Sequence, residues 1–253
     1  MKEKTSWESS AKWYDKAVGE KGHYYHEHLI LPRLLDILKR ECPSRFKLLD
    51  LACGQGVLAR ALPKEALYTG VDASRSLIQQ AKSRSKNSKH GFFTGDLTKP
   101  LDLPEKDYAV ACMVLALQNI ETPLAVLMNA ASHLMEEGKL ILVLNHPCFR
   151  IPRQTHWGVD EGKKLQYRRV DRYFSPLKIP IQTHPGKKET QETWTFHYPL
   201  ASYTGWLREA GFAVLEIEEW VSDKKSTGAK GKMENRARAE IPLFMTLICQ
   251  KNR

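Results

Sequence analysis

LLDLACGQG, residues 48–56, is the stretch on which the reading of this chain turns. An apolar run ends in an acid, Asp50, turns through small residues and Gly54-x-Gly56, and continues into GVLARALP, which opens a helix. A strand, turn and helix of this kind bring backbone N–H groups close to a ligand at the carboxyl edge of a sheet. The spacing departs from the dinucleotide fingerprint G-x-G-x-x-G, whose third glycine would fall at Ala59.

Outward from this turn, short apolar runs alternate with amphipathic stretches, the pattern of βαβ units on a parallel sheet. FKLLDLAC (46–53), ALYTGVDA (66–73), HGFFTGD (90–96), DYAVACMVLAL (107–117) and KLILVLN (139–145) read as strands. SLIQQAKSRSK reads as a helix, as does TPLAVLMNAASHLMEEG with Pro123 in its first turn and Gly138 as its stop. Residues 146–198 carry no period and read as an irregular insertion, too long for a plain connection and fit for a substrate lid beginning at Pro147; HPG (184–186) reads as a turn. LASYTGWLREAGF (200–212) returns as a helix, followed by AVLEIEEWV, a basic loop and PLFMTLICQ, so the chain is expected to end in an antiparallel hairpin.

The length of 253 residues and an apolar content of 42% suit one domain carrying an insertion. Five scattered cysteines without a C-x-x-C pair suggest neither a disulfide framework nor a structural zinc site. With no apolar leader and no run of membrane-spanning length, a cytoplasmic location is expected. The net charge of +10 is concentrated in KKLQYRRVDR (163–172), GKK (186–188) and KKSTGAKGKMENRAR (224–238). It reads as a solvated basic surface, with a nucleic-acid partner as the alternative.

Two more acids complete a constellation. Asp72, in TGVDAS, closes the second strand where a carboxylate can accept from both ribose hydroxyls; Asp96, in TGDLT, closes the third where one can accept from an adenine amino group. The ordered set D-x-A-C-G-x-G, V-D-A-S and G-D-L resembles the class I S-adenosylmethionine-dependent methyltransferases, and most of all their small-molecule branch, including the quinone-ring enzymes. Gln55 stands where that branch often has Thr, and reads as a change on the loop surface.

The resemblance implies a Rossmann-like, doubly wound, seven-stranded α/β sheet, mostly parallel, with helices on both faces. Its expected parts are an N-terminal helical cap (1–45), a cofactor-binding core (46–145), the lid (146–198) and a closing helix and hairpin (199–253). It implies S-adenosyl-L-methionine as cofactor, with Asp50 orienting the methionine end and the Ala52, Cys53, Gly54 and Gly56 backbone packed against it. Asp72 and Ala73 would hold the ribose, Asp96 and Leu97 the adenine, and Met113 to Gln118 the methionine and acceptor side.

The reaction implied is in-line transfer of a methyl group to a small-molecule acceptor, quinone-like or aromatic, by a monomer or homodimer. An RNA methyltransferase using the basic segments and a non-catalytic partner subunit of the same fold are the alternatives.

The acceptor side is expected from Trp13, Tyr14, Tyr25, Asn145, Phe149 and Trp157. His23, His26 and His28 form H-x-x-H-x-H without supporting acids or cysteines, so no metal is expected. NHPCF (145–149) resembles both an amino-gripping tetrapeptide and a Pro-Cys nucleophile, but lies one strand too late for the first and lacks the partner motif of the second. It reads as a hinge between core and lid, with His146 as candidate acceptor-site base or orienting group.

Overall fold

Neighbouring residues of each central strand feed opposite faces of one sheet, as the two-residue period of a strand requires. Leu48, Val110, Cys112, Ile141 and Val143 enter one apolar core, whereas Leu49, Ala111, Met113, Leu140 and Leu142 enter the other. This computed structural model describes residues 7–43, 45–182 and 192–252, so the expected turn at 184–186 and the basic GKK lie outside the described residues.

A short 3-10 turn (Trp7–Ser10) leads into α1 (Ala11–Val18), and a π-helical turn (His26–Ile30) into α2 (Leu31–Glu41). The doubly wound core follows as β1 (Lys47–Leu51), α3 (Val57–Ala61), β2 (Leu67–Asp72), α4 (Arg75–Arg84), β3 (His90–Thr94), β4 (Tyr108–Val114), α5 (Pro123–His133) and β5 (Leu134–Asn145). Two hairpins come next, β6 (Thr155–Asp160) with β7 (Leu165–Val170) and β8 (Leu177–Gln182) with β9 (Glu192–His197). The chain closes with α6 (Leu200–Glu209), β10 (Phe212–Trp220), α7 (Gly231–Glu240) and β11 (Phe244–Lys251).

The seven-stranded sheet has the order β10-β11-β5-β4-β1-β2-β3, with β11 antiparallel to both its neighbours and the other pairings parallel. Helices α2, α3 and α4 supply Leu34, Leu58 and Ile78 to one core; α5 and α6 supply Leu127 and Leu207 to the other. The doubly wound sheet with its antiparallel closing pair is thus the expected one. No described helix is long and apolar enough to cross a membrane.

Three local expectations are corrected. Helix α5 stops at His133, not Gly138. His133 turns its ring back to Asn129 O (2.8 Å), the chain becomes extended at Leu134, and the register with β4 shifts between Tyr108 and Val110. Glu137 in that irregularity has φ 61°, and a Cβ on Gly138 would sit 2.9 Å from Met135 O, so this glycine serves a tight bulge.

The described part of the insertion is ordered as the two hairpins. The strands of the first hairpin, β6 and β7, are partly exposed on both faces, and in β9 the buried face is formed by Thr193, Thr195 and His197, so neither shows the apolar alternation that marks a half-buried strand. The basic segment before β11 contains α7, braced by Glu234 and Arg238 one turn apart (3.4 Å) and by Asn235, which accepts from Ser226 N (2.7 Å) and donates to Ser226 O (2.9 Å).

The buried Asn129 amide donates to Leu97 O (2.7 Å) and Lys99 O (2.8 Å), fixing the connection after β3 to α5. Asn129→Ala removes both donors and leaves these carbonyls without this partner. We expect a loss of about 1–3 kcal/mol in urea unfolding at unchanged m-value; an unaltered midpoint would show that water replaces the amide.

Candidate cofactor and acceptor site

At the carboxyl edge of β1 and β2 the chain buries two acids side by side. Asp50 ends within β1 at 3% exposure and Asp72 closes β2 at 9%. The Tyr68 hydroxyl donates to Asp50 Oδ2 (2.6 Å). Asp72 accepts from Gly54 N (2.9 Å) through one oxygen and from Ser74 N (2.8 Å) through the other. Burial pushes the Asp50 carboxyl up to about 7; the Tyr68 hydrogen bond opposes this and the Asp72 charge adds to it. Burial also raises Asp72, against the two backbone donors. No described Lys or Arg pairs with either acid, an arrangement that asks for a cationic ligand group.

The turn between them is built from left-handed backbone: Ala52 has φ 60°, Gly54 55° and Gly56 76°. At Gly56 a Cβ would approach the Phe92 ring to 3.0 Å as well, so only glycine fits without displacement. Gly70 has another task. A Cβ there would stand 2.8 Å from both Cys53 Sγ and the Tyr68 hydroxyl, so its bareness is what lets Tyr68 reach Asp50. Sequence reading passed over Tyr68; its only signal is its place two residues before Gly70, which pairs with Asp50 across β1 and β2.

The N-terminal segment closes over this edge. Tyr14 is half-buried, and its ring lies 3.5 Å from the position a Cβ would take on Gly54. Burial raises its hydroxyl pKa, with Asp72 and Asp50 adding to the effect. Trp13 beside it is half-buried. Gln55 is fully buried and donates to Gly19 O (2.8 Å), which corrects its reading as a surface change: its amide ties the glycine turn to the end of α1. Arg84 of α4 makes a bidentate pair with Asp15 of α1 (2.6 and 2.8 Å), and Glu8 accepts from Ser74 Oγ (2.7 Å) and Ser76 Oγ (2.5 Å).

Other expected cofactor residues spread along the same edge. Ala73 is exposed between Asp72 and Ser74. Asp96 is exposed, and its carboxylate accepts from Thr98 N (3.0 Å) and Thr98 Oγ1 (2.7 Å); partial burial raises its pKa, but these bonds and Lys99 prevail and lower it. Leu97 and Met113 are buried. Gln118, in the 3-10 turn Leu117–Asn119 after β4, donates to Leu115 O (2.9 Å) while its buried Oε1 has no partner; Thr195 of β9 donates to Gln118 O (3.1 Å), docking the second hairpin here.

A second group forms beyond β5. Tyr25 packs edge-on against Phe244 (5.6 Å between centroids), which pairs with Asn145 across β11 and β5. Phe149 lies against His146 (4.8 Å), its carbonyl accepts from Arg168 Nε (2.9 Å), and Arg168 covers the Trp157 ring at 5.2 Å. Tyr25, Asn145, Phe149 and Trp157 thus share one neighbourhood, while Tyr14 lies with the glycine turn and Trp13 precedes it in α1.

His146, the expected acceptor-site base or orienting group, is buried and held at both ring nitrogens. Its Nδ1 accepts from Cys148 N (3.1 Å), which leaves the ring proton on Nε2 to donate to Glu219 Oε1 of β10 (2.6 Å). Burial lowers its pKa, partly offset by Glu219. Both nitrogens are engaged, so the ring braces the end of β5 against β10. Cys148 is half-buried, and burial pushes its thiol up, away from the thiolate a nucleophile needs. Among the described residues no group of three or more His, Cys, Asp and Glu side chains is placed to hold a metal.

Comparison with known proteins agrees with this geometry. Residues 22–217 match the family described as a methyltransferase domain. A protein of Geobacillus sp. (strain WCH70) named as a methyltransferase is 26% identical over 235 residues, 87% of this chain and 94% of the relative. A ubiquinone biosynthesis O-methyltransferase of Coxiella burnetii (strain Dugway 5J108-111) is 32% identical over 196 residues, 75% of this chain and 74% of that one. Among solved structures, an S-adenosylmethionine-dependent methyltransferase from Mesorhizobium loti superposes with a TM-score of 0.66 at 22% identity, covering 85% of this chain and 96% of that one. The chain belongs to the methyltransferase-domain family and is an S-adenosyl-L-methionine-dependent methyltransferase.

Proposed function

We propose that this enzyme methylates a small-molecule acceptor, quinone-like or aromatic, in a cleft closed by its own N-terminal segment and second hairpin. The observation that carries the reading is that closure: Tyr14 lies over the glycine turn and Thr195 is fastened to the turn after β4, so the edge is roofed by short elements of the same chain. The ubiquinone O-methyltransferase named above adds support. An activity screen with labelled cofactor against quinone precursors, other phenolic metabolites and bulk RNA tests it. Label is expected in phenolic small molecules, and label in RNA alone overturns the reading.

A sulfonium supplies an already activated methyl group, so what falls to the protein is binding, alignment and exclusion of water. In this proposal Asp50 faces the ammonium of the methionine end, with Tyr68 fixing its orientation. Asp72 keeps free lone pairs for the ribose hydroxyls while holding Gly54 and Ser74. Ala73, Asp96 and Leu97 flank the adenine, and Met113 and Gln118 line the methionine and acceptor side. Tyr14 keeps water from the turn.

One observation favours a second reading. Helix α7 packs on β7, and Lys163 and Arg236 line a single groove between them, so two basic segments distant in sequence become neighbours. If bulk RNA takes the label, this face is where its phosphates would lie.

Two further outcomes are expected. In the cofactor-free protein Asp50 holds its proton to about pH 7, so a cationic ligand must displace it. Affinity should therefore rise with pH through neutrality, and calorimetry near pH 7 should show proton release as a dependence on buffer ionisation enthalpy. Asp50→Asn should abolish the release and weaken binding about 10-fold or more. The same raised pKa means the buried carboxylate costs the free fold stability as pH rises from about 4 to 7, so Asp50→Asn should be no less stable than wild type above pH 7. Binding without proton release would count against the assignment.

For His146, replacement by Ala removes two hydrogen bonds, one to a half-exposed Glu219. We expect about 1–2 kcal/mol lost in unfolding and turnover changed less than about 3-fold. A fall in kcat of more than about 100-fold with stability intact would restore the ring as a catalytic base.

A further inference from the structure

Arg150 lies four residues past His146, where its N–H closes a turn onto His146 O (2.8 Å). Its side chain is open to solvent, yet its guanidinium has no hydrogen bond or ion pair with any described residue. The acids of the flanking segments have other partners: Glu219 is bonded to His146, Asp171 to Arg169 and Asp223 to the Tyr24 hydroxyl.

Arg150 has a second arginine among its neighbours. Arg168 is held by Phe149 O through Nε and by Thr155 Oγ1 through Nη2 (2.7 Å), and it lies against the Trp157 ring. Burial, and then repulsion from Arg150, keeps Arg168 below the usual guanidinium range. Burial lowers Arg150 too, although its side chain reaches water, which is the condition of a group in the wall of a cleft. Tyr25, whose hydroxyl meets Ser222 Oγ at 3.0 Å, is the one group that opposes this lowering. Arg168 is fastened to the carbonyl of the residue before Arg150, and two arginines brought to one stretch of backbone without a carboxylate are unfavourable in isolation and favourable once an anion joins them.

We propose that Arg150, with Arg168 beside it, is the anion subsite of the acceptor pocket, holding a carboxylate or phosphate on the molecule to be methylated. This rests on the small-molecule reading above. Arg150 supplies the fork of free N–H donors, Arg168 the second charge, and the Trp157 and Tyr25 rings the adjoining walls. Anchoring an acidic group beyond β5 leaves the rest of a small acceptor to extend towards the end of β4, where Gln118 Oε1 lies buried without a partner.

The test is calorimetric titration of the enzyme saturated with S-adenosylhomocysteine, using benzoate, phenyl phosphate and the neutral benzamide as probes. Wild type is expected to bind one of the two anions at least 10-fold more tightly than benzamide; which one it prefers separates a carboxylate from a phosphate pocket. Arg150→Gln should remove that preference, Arg150→Lys should restore part of it, and S-adenosylhomocysteine affinity should stay unchanged in both, which also shows that they fold. Equal binding of benzoate, phenyl phosphate and benzamide by wild type, or an anion preference intact in Arg150→Gln, overturns the proposal. So does competition for the site by RNA oligonucleotide but not by the small anions, which assigns the charge to a polyanion. A wild-type protein that failed to bind S-adenosylhomocysteine would strike the cofactor assignment instead, a different failure read before any probe is added.

Discussion

Burying two carboxylates next to each other without a counter-ion is the constraint around which this edge of the sheet is arranged. Asp50 and Asp72 lose hydration and repel, and a protein keeps such a pair only where something returns the loss. Part comes from the fold, through the Tyr68 hydroxyl on Asp50 and the Gly54 and Ser74 amides on Asp72. Each contribution has its own requirement. The amide of Gly54 points at Asp72 because the turn adopts left-handed backbone, and Tyr68 reaches Asp50 because Gly70 leaves room. In the proposed binding mode the remainder would come from a cationic ligand, so that the same charge that weakens the free fold would strengthen the complex.

The N-terminal segment belongs to this arrangement. Its anchors reach the glycine turn, α4 and the start of α4 through Gln55, Arg84, and Ser74 with Ser76. The first and last lie on the rim of the acid pair, whereas Arg84 fastens the segment at the far end of α4. A segment fastened at such points shields the carboxylates from water, keeping Asp50 near neutrality and its response to a cation large. It also sets Tyr14 over Gly54, where no side chain on the turn competes for the space.

Much of this was legible in the sequence because the signals are local. Alternation of strand and helix, the acid before Gly54-x-Gly56 and acids closing two more strands are readable one segment at a time, and they yielded the sheet and its edge. What escaped depends on pairing across the chain. Tyr68 matters only because β2 pairs beside β1, and Gln55 only because Gly19 folds back over it. The first hairpin of the insertion lacks a fully buried face, and the buried face of β9 carries Thr193, Thr195 and His197, so the apolar period of a half-buried strand shows in neither. The sequence places His146 at the end of a parallel strand, but its partner Glu219, more than seventy residues away, reaches it only because β11 and β10 pair beside β5.

Charge along the carboxyl edge then has a direction. Acids without counter-ions lie at β1 and β2, and arginines with free donors lie beyond β5, with β4 and its turn between them. Interactions across such a span are weak in open water and stronger where the walls are apolar and water is excluded. On the proposed assignment, cation and anion would be favoured at opposite ends of this edge, and a molecule with the wrong charge at either end would meet repulsion as well as lost hydrogen bonds. Orientation follows from that opposition. On that proposal, an acceptor held by an acidic group at the arginines would have its remaining length directed towards β4, and the protein would fix the line between the two reactants by charge. For a transfer whose activated group arrives ready-made, alignment is the contribution the residues of this edge are placed to give.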